Sequence, residues 1–339
     1  MSNLTQFLPP GKTAPRIARM AVSNWTARTT AASNSWSSIA WNGTLFAAVS
    51  VSGAGNRVMT SPDGITWTSR TSAANNDWQG IAWNGTVFAA VASSGTGNRV
   101  MTSPDGITWT IRTSAADNIW RDIAWNGTVF AAVSSGGIGN NVMTSPDGIT
   151  WTIRTSAADN IWTAIAWNGT VFAAVSRDGT GNRVMTSPNG ITWTIRTSVA
   201  DLNWTAIAWN GTLFAAVSNT GTGNRVMTSP DGITWTSRTS AADNDWRAIA
   251  WNGTLFAAVA SSEGFNRVMT SPDGITWISR TSPEEVNNEW TGIAWNGLGT
   301  SSTPLLPTAG TGTVFAVVSD RATGNRVMTC HFSKFGSPT

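Results

Sequence analysis

The 339 residues are 41% hydrophobic and only 12% charged, with a formal net charge of +3. Such a chain has too much apolar side chain to be disordered, and too little charge to point to nucleic acid. Tryptophan is the outlier at 21 copies, beside 11 Phe, no Tyr, one His (His331) and one Cys (Cys330).

Residues 1–24 form an N-terminal arm that carries Phe7, Lys12, Arg16 and Arg19 without a continuous apolar segment, so no secretory signal is expected. The arm leads into Trp25-Thr26-Ala27-Arg28-Thr29, which reads as an isolated strand. The first full unit then predicts four strands. Ser38–Trp41 is the first, and Asn42-Gly43 suits a two-residue type I′ hairpin because both residues tolerate positive φ. Thr44–Val49 is the second strand; the turn sets Ile39 opposite Phe46 with Trp41 on the same face, and Ala40, Leu45, Ala47 and Val49 on the other. After a Ser/Gly loop, Asn56–Thr60 is the third strand, Ser61-Pro62-Asp63-Gly64 a type I turn, and Ile65–Arg70 the fourth strand. Both faces of this sheet are apolar, so both must be covered.

The unit then repeats. Ile-Ala-Trp-Asn-Gly recurs with its Trp at 41, 83, 125, 167, 209, 251 and 295, a spacing of 42 residues that lengthens to 44 once. A second series, Trp36, Trp78, Trp120, Trp162, Trp204, Trp246 and Trp290, lies five residues earlier, and a third runs from Trp25 through Trp67 to Trp277. Three series of seven account for every Trp. Repeats of about 42 residues with four strands predict an all-β, seven-bladed β-propeller of four-stranded antiparallel blades, over residues 25–330. The last unit lacks its fourth strand, which the N-terminal strand supplies, closing the ring and removing a free sheet edge. Blade seven also carries an insertion, 298–312, and a C-terminal tail, 331–339.

Ser61–Trp67 and its copies resemble the Asp-box of sialidase-like propellers, one residue shorter between Asp and Gly. The resemblance covers nearly the whole chain and implies the propeller fold with the box as a structural turn. Sialidase activity does not follow, because the Tyr nucleophile is missing. Similar arrays occur in photosystem assembly factor-like propellers and seven-bladed bacterial lectins. The opening Met1-Ser2-Asn3-Leu4-Thr5-Gln6-Phe7-Leu8 is similar to the start of many bacteriophage tail-fibre and virion proteins.

Within a blade, the first-to-second and third-to-fourth turns share one face of the disc, here the bottom; the second-to-third loops and blade linkers share the top. Top loops vary among copies, as in Val51–Ala54, Arg177–Thr180, Asn219–Thr222 and Ser262–Phe265, and loops commonly carry binding. The Trp36-type residues enter from the top after Asn/Asp-rich linkers. They are candidate sugar-stacking platforms, with Asn76, Asp77, Asp117, Asn118, Asp159 and Asn160 as hydrogen-bonding neighbours; the alternative is core packing for the rings and turn formation for the linkers. Trp41- and Trp67-type rings are expected in the blade core.

Two arginine series, Arg57 to Arg326 and Arg28 to Arg280, are expected to bond loop carbonyls or stack on Trp, and as a ring could attract anionic polysaccharide or phosphate. Turn carboxylates such as Asp63 have no acidic partner, so neither metal nor cofactor is implied. Near-identical blades argue against an enzyme and for multivalent binding.

The sequence thus predicts a non-catalytic, virion-associated adhesin, made in the bacterial host cytoplasm, that binds host-surface carbohydrate through repeated blade-loop sites. The alternative is a structural capsid or tail component docked to other virion proteins. Its docking residues would be Phe7, Lys12, Arg16 and Arg19 of the arm, with Leu305 and Leu306 of the insertion. Neither nucleic acid nor membrane insertion is expected, since apolar runs end after five or six residues.

Overall fold

The computed structural model describes residues 24–262, 264, 266–283, 289–297, 313–321 and 325–332. Its first strand, β1 (Thr26–Arg28), is followed by β2 (Trp36–Trp41), β3 (Phe46–Ser50), β4 (Val58–Ser61) and β5 (Thr68–Arg70), which form blade one. The pattern recurs as β6–β9 from Trp78 to Arg112, β10–β13 from Trp120 to Arg154 and β14–β17 from Trp162 to Arg196. Blades five and six are β18–β21, from Trp204 to Arg238, and β22–β25, from Trp246 to Arg280. Blade seven is β26 (Trp290–Trp295), β27 (Thr313–Ser319) and β28 (Val327–Phe332), with β1 as its fourth strand. The result is an all-β, seven-bladed propeller of four-stranded antiparallel sheets.

Closure follows the expected route. Thr26 pairs with Thr329, Ala27 with Met328 and Arg28 with Val327, while Arg28 Nε donates to Thr329 Oγ1 at 2.9 Å. The last strand runs on past Cys330 through His331 to Phe332, two residues into the stretch 331–339. Cys330 is buried, opposite Phe315.

The first hairpin differs from the expected one. Trp41 pairs with Phe46, and Ile39 with Ala48, so four residues form the connection. The cause is the Asn42 side chain, whose Oδ1 accepts from Thr44 N (2.9 Å), Thr44 Oγ1 (2.9 Å) and Leu45 N (2.8 Å), stabilising a wider Asx-type loop. A slip of two residues preserves the side-chain faces, so Trp41, Ile39 and Phe46 still share one.

In the third-to-fourth turn, Ser61 Oγ accepts from Gly64 N (2.8 Å) while Asp63 Oδ1 accepts from Ile65 N (2.8 Å) and Thr66 N (2.9 Å). Gly64 has φ +76°, open to glycine at little cost. The Asp63 carboxyl is partly desolvated, but these N–H groups and Ser61 hold it below its ordinary pKa. The turn is thus built from its own polar side chains.

Each blade is covered by its neighbours, as two apolar faces require. Trp36, Ile39, Phe46, Ala48, Met59 and Trp67 of blade one pack on Ala294, Val314 and Val318 of blade seven. Its other face, Ala47, Val49 and Val58, packs on Trp78, Ile81 and Phe88 of blade two. Seven such clusters encircle the disc, the one between blades six and seven taking in Trp25. Trp67 is buried and its indole N–H donates to Gly64 O (2.9 Å). Trp41 lies half-buried over Phe46, ring centroids 4.7 Å apart.

Candidate functional site

The seven Trp of the 36 series have no ring face available to a sugar. Trp36, Trp78, Trp120, Trp162, Trp204 and Trp246 are 0% exposed and Trp290 is 1% exposed. The indole N–H of Trp36 turns back to Ala32 O (3.2 Å), and that of Trp78 to Ala74 O (3.2 Å). This corrects the sugar-platform expectation: an indole with both faces in an inter-blade core is packing.

The linker residues named with them are similarly engaged. Asn76 Nδ2 donates to Asn98 O (2.8 Å), Asn118 Nδ2 to Asn140 O (2.8 Å) and Asn160 Nδ2 to Asn182 O (2.9 Å). Asp117 Oδ1 accepts from Gly97 N (2.7 Å), Asp159 accepts from Gly139 N, and Asp77 pairs with Arg57 at 2.8 Å. They fasten linkers to top loops, and this corrects their assignment to sugar binding. Arg57 also donates to Gly53 O and Val51 O, both at 2.8 Å, as the loop-carbonyl expectation requires. The docking candidates Phe7, Lys12, Arg16, Arg19, Leu305 and Leu306 lie outside the described residues.

The unlike chemistry lies on the axis. Each innermost strand carries a register shift just after its first Trp: Trp36 pairs with Ser50, but Ser38 with Val49. The same shift occurs in the other six blades. Such a bulge leaves one residue unpaired and re-aims its side chain. The seven residues so placed are Ser37, Gln79, Arg121, Thr163, Thr205, Arg247 and Thr291, one from each blade. They converge with Val51, Ile161, Arg177 and Asp320 on a funnel of about 330 Å3 at the top mouth of the central channel. Beneath it the channel continues as a cavity of about 240 Å3, walled by the same ring, Asp122 and the inner-strand Ile and Ala residues.

The ring residues have two roles. Where the residue is Ser or Thr, its hydroxyl donates to the first Trp carbonyl of the next blade: Ser37 to Trp78 (2.6 Å), Thr163 to Trp204 (2.7 Å), Thr205 to Trp246 (2.7 Å) and Thr291 to Trp36 (2.6 Å). Where it is long and polar, that staple is absent and the side chain leans on a top-loop serine. Gln79 Nε2 reaches Ser93 Oγ (2.9 Å), Arg121 Nε reaches Ser135 Oγ (2.7 Å) and Arg247 Nε reaches Ser261 Oγ (2.8 Å).

Electrostatics distinguish the two sides of the funnel. Arg121 is held below its ordinary pKa, first by desolvation and then by the nearby charge of Arg177. Asp320 is held above its own by desolvation and by Glu289, while Arg247 and Arg321 pull it the other way. Just under Arg121, Asp122 Oδ2 accepts from Ile165 N of the next blade (2.9 Å) and Oδ1 from Ile123 N (2.9 Å). Enclosure in the channel wall outweighs those bonds and pushes its carboxyl up to about 6.

This ring was missed by a reading that looked for variation only in loops. The signal was present: the two residues after each Trp36-type Trp vary, the first among Ser, Gln, Arg and Thr, while that Trp and the following Ile-Ala-Trp stay the same.

No family model and no curated protein matches the sequence. Solved structures do match the fold. A YCF48 structure bound to D1 peptide superposes with a TM-score of 0.63 at 14% identity, covering 94% of this chain and 100% of that one. YCF48 from Cyanidioschyzon merolae gives 0.63 and 14%, over 91% of this chain and 99% of that one. Streptogramin B lyase gives a TM-score of 0.72 at 10% identity, over 92% of this chain and 98% of that one. These likenesses are of fold. They nonetheless correct the expectation that such a ring excludes an enzyme, because a lyase has the same architecture. The premise was also too strong, since the blades differ where they meet the axis.

Proposed function

We propose that this protein is a virion-borne recognition module that takes host-surface carbohydrate into the axial funnel of its top face. The observation that carries the reading is the convergence of seven bulge residues of four kinds, with Arg177 and Asp320, on one polar cavity in an otherwise repetitive ring. Hydroxyl, amide and guanidinium groups line that cavity, a donor-rich set suited to a polyhydroxylated ligand. The similarity of residues 1–8 to the start of phage virion proteins supports the setting. One axial site replaces the repeated inter-blade sites of the sequence reading, so binding saturates at one ligand per chain.

The test is a screen of the purified chain against bacterial surface polysaccharides, repeated with Thr205→Trp, which fills the funnel. Binding at a one-to-one ratio that the plugged variant loses supports the reading; equal binding by both proteins refutes it. A YCF48 structure carries a D1 peptide, so a peptide array run in parallel addresses the competing ligand class.

A second reading, a structural component docked to other virion proteins, is favoured by the opposite face. There Ile65, Ile107, Ile149, Ile191, Ile233 and Ile275, one from each regular third-to-fourth turn, are 39–47% exposed. Deleting residues 1–22 with unchanged co-purification of virion partners would count against docking through the arm.

A further inference from the structure

We infer that Arg121 and Arg177 form an anion seat on the blade-three and blade-four side of the funnel, which takes the carboxylate of an acidic sugar. The inference rests on the proposed axial reading and names its ligand class.

Both arginines line the same funnel, and neither has an acidic partner among the described residues, whereas Arg57, Arg99, Arg183 and Arg225 each do. Arg121 is held by its Nε on Ser135, and among the described residues its two terminal nitrogens donate to no protein group. Among the described residues the Arg177 side chain makes no hydrogen bond, although its backbone anchors the loop through Ile161 O (3.1 Å). A guanidinium disfavoured by a second one beside it, as Arg121 is by Arg177, and with donors unspent, is relieved by an anion. Guanidinium groups suit a carboxylate, which they can grip with two parallel bonds.

The residue just before each inner strand sharpens the asymmetry. It is Ile119 in blade three and Ile161 in blade four, but Ser35, Asp77, Asn203, Asp245 and Glu289 in the others. Both isoleucines are 38% exposed. At that position the paired arginines have apolar neighbours, while acids occupy it in blades two, six and seven, Asp320 adding to the last. The two acids beside the seat are turned onto backbone N–H groups, Asp178 onto Ile161 N and Asp122 onto Ile165 N and Ile123 N. Arg247 stands apart from the seat, because its charge acts on Asp320 of blade seven. A ligand with a carboxylate beside an apolar ring edge fits the first side and is repelled from the second.

Blade three shows what the seat costs. Arg121 replaces the hydroxyl that in four blades bonds the next Trp carbonyl, so that one bond across the blade boundary is given up. Asp122 supplies a different tie across the same blade boundary, to Ile165 N. The sequence thus sets a guanidinium at the axis in place of a structural bond.

The experiment titrates glucuronate, N-acetylneuraminate and methyl glucoside into the full chain by calorimetry, with Arg121→Gln, Arg177→Gln and Arg247→Gln alongside. The seat predicts that the acids bind and the neutral glucoside does not. Arg121→Gln and Arg177→Gln should each weaken the acids about 10- to 100-fold, the range of a charge-assisted pair. Arg247→Gln should change affinity less than about 3-fold, and Arg121→Lys should restore part of the loss. Acids and glucoside binding equally, with no effect of Arg121→Gln but loss in Thr205→Trp, overturns the seat and leaves the axial reading standing. If no sugar binds, the carbohydrate reading falls and acetate decides the seat through the side-chain Nε–H NMR signals of Arg121 and Arg177. Shifts that Arg121→Gln abolishes keep the seat; unmoved signals overturn it.

Discussion

Replacing Asp122 by alanine should change the pH dependence of stability more than its value at any one pH. Alanine is the residue at the matching position of three other blades, Ala164, Ala206 and Ala248, so the backbone accepts it. Burial raises the folded carboxyl from 3.8 to about 6, against the bonds from Ile165 and Ile123 that lower it. A group with a raised folded pKa holds its proton more tightly when folded. Its contribution to stability is therefore fully present below 3.8 and is lost as pH rises through 6. The gap corresponds to about 3 kcal/mol, and access of water through the channel brings the expected change to about 2–3 kcal/mol. The turn carboxylates Asp63, Asp105, Asp147, Asp231 and Asp273 are shifted downward and act with the opposite sign. They are common to both proteins and cancel in the difference. Urea unfolding of wild type and Asp122→Ala between pH 3.5 and 8 should give curves that diverge from pH 4 to 7, with the variant gaining on the wild type. Parallel curves would refute the argument that the channel wall isolates this carboxyl from water.

Trp78→Ala empties a fully enclosed site and should cost about 3–5 kcal/mol in urea unfolding; a loss under 1 kcal/mol would show that the ring is not packed as described. Thr291→Val removes the hydroxyl bond from blade seven to Trp36 O. It should cost about 1 kcal/mol, with Thr205→Val giving a similar value, since the same bond recurs between blades five and six. Deleting residues 1–29 strips β1 from β28 and exposes its edge. The truncated protein should melt lower and associate through the open blade, seen as a concentration-dependent sedimentation coefficient; an unchanged monomer of equal melting temperature would deny β1 its closing role.

The ring was legible because every blade repeats the same apolar alternation. A two-faced sheet such as Ala47, Val49 and Val58 against Phe46, Ala48 and Met59 has no stable solution except burial on both sides. The missing fourth strand and the isolated Trp25–Thr29 then match each other in count. Hairpin register was less legible, because Asn-Gly alone does not reveal that the Asn42 carboxamide will take Thr44 and Leu45 N–H groups into a wider loop. The site was misread for a physical reason. Trp36 looks like a sugar platform because it follows a polar linker, yet the linker folds back and its Ala32 carbonyl receives the indole N–H. What faces the axis is set by a bulge one residue later, and a bulge leaves little mark on a sequence beyond the variability of the residue it turns outward.

That placement follows from how a closed repeat distributes its energy. Stability of such a ring comes chiefly from contacts between nearest neighbours, here seven clusters of Trp, Ile, Phe, Met and Val that tolerate little change. The outer edge strands carry Arg28, Arg70 and their five counterparts, a charged belt that discourages edge-to-edge pairing. The six regular bottom turns need the residues that build them, as Ser61, Asp63 and Gly64 show. The bulge position is freer: losing its hydroxyl staple removes one bond from an interface that retains its whole apolar core. Three of seven blades have lost that staple, and each replacement brings a long polar side chain to the axis. Because all seven bulges face one point, a few such substitutions give a repetitive scaffold a single asymmetric site while its fold stays intact.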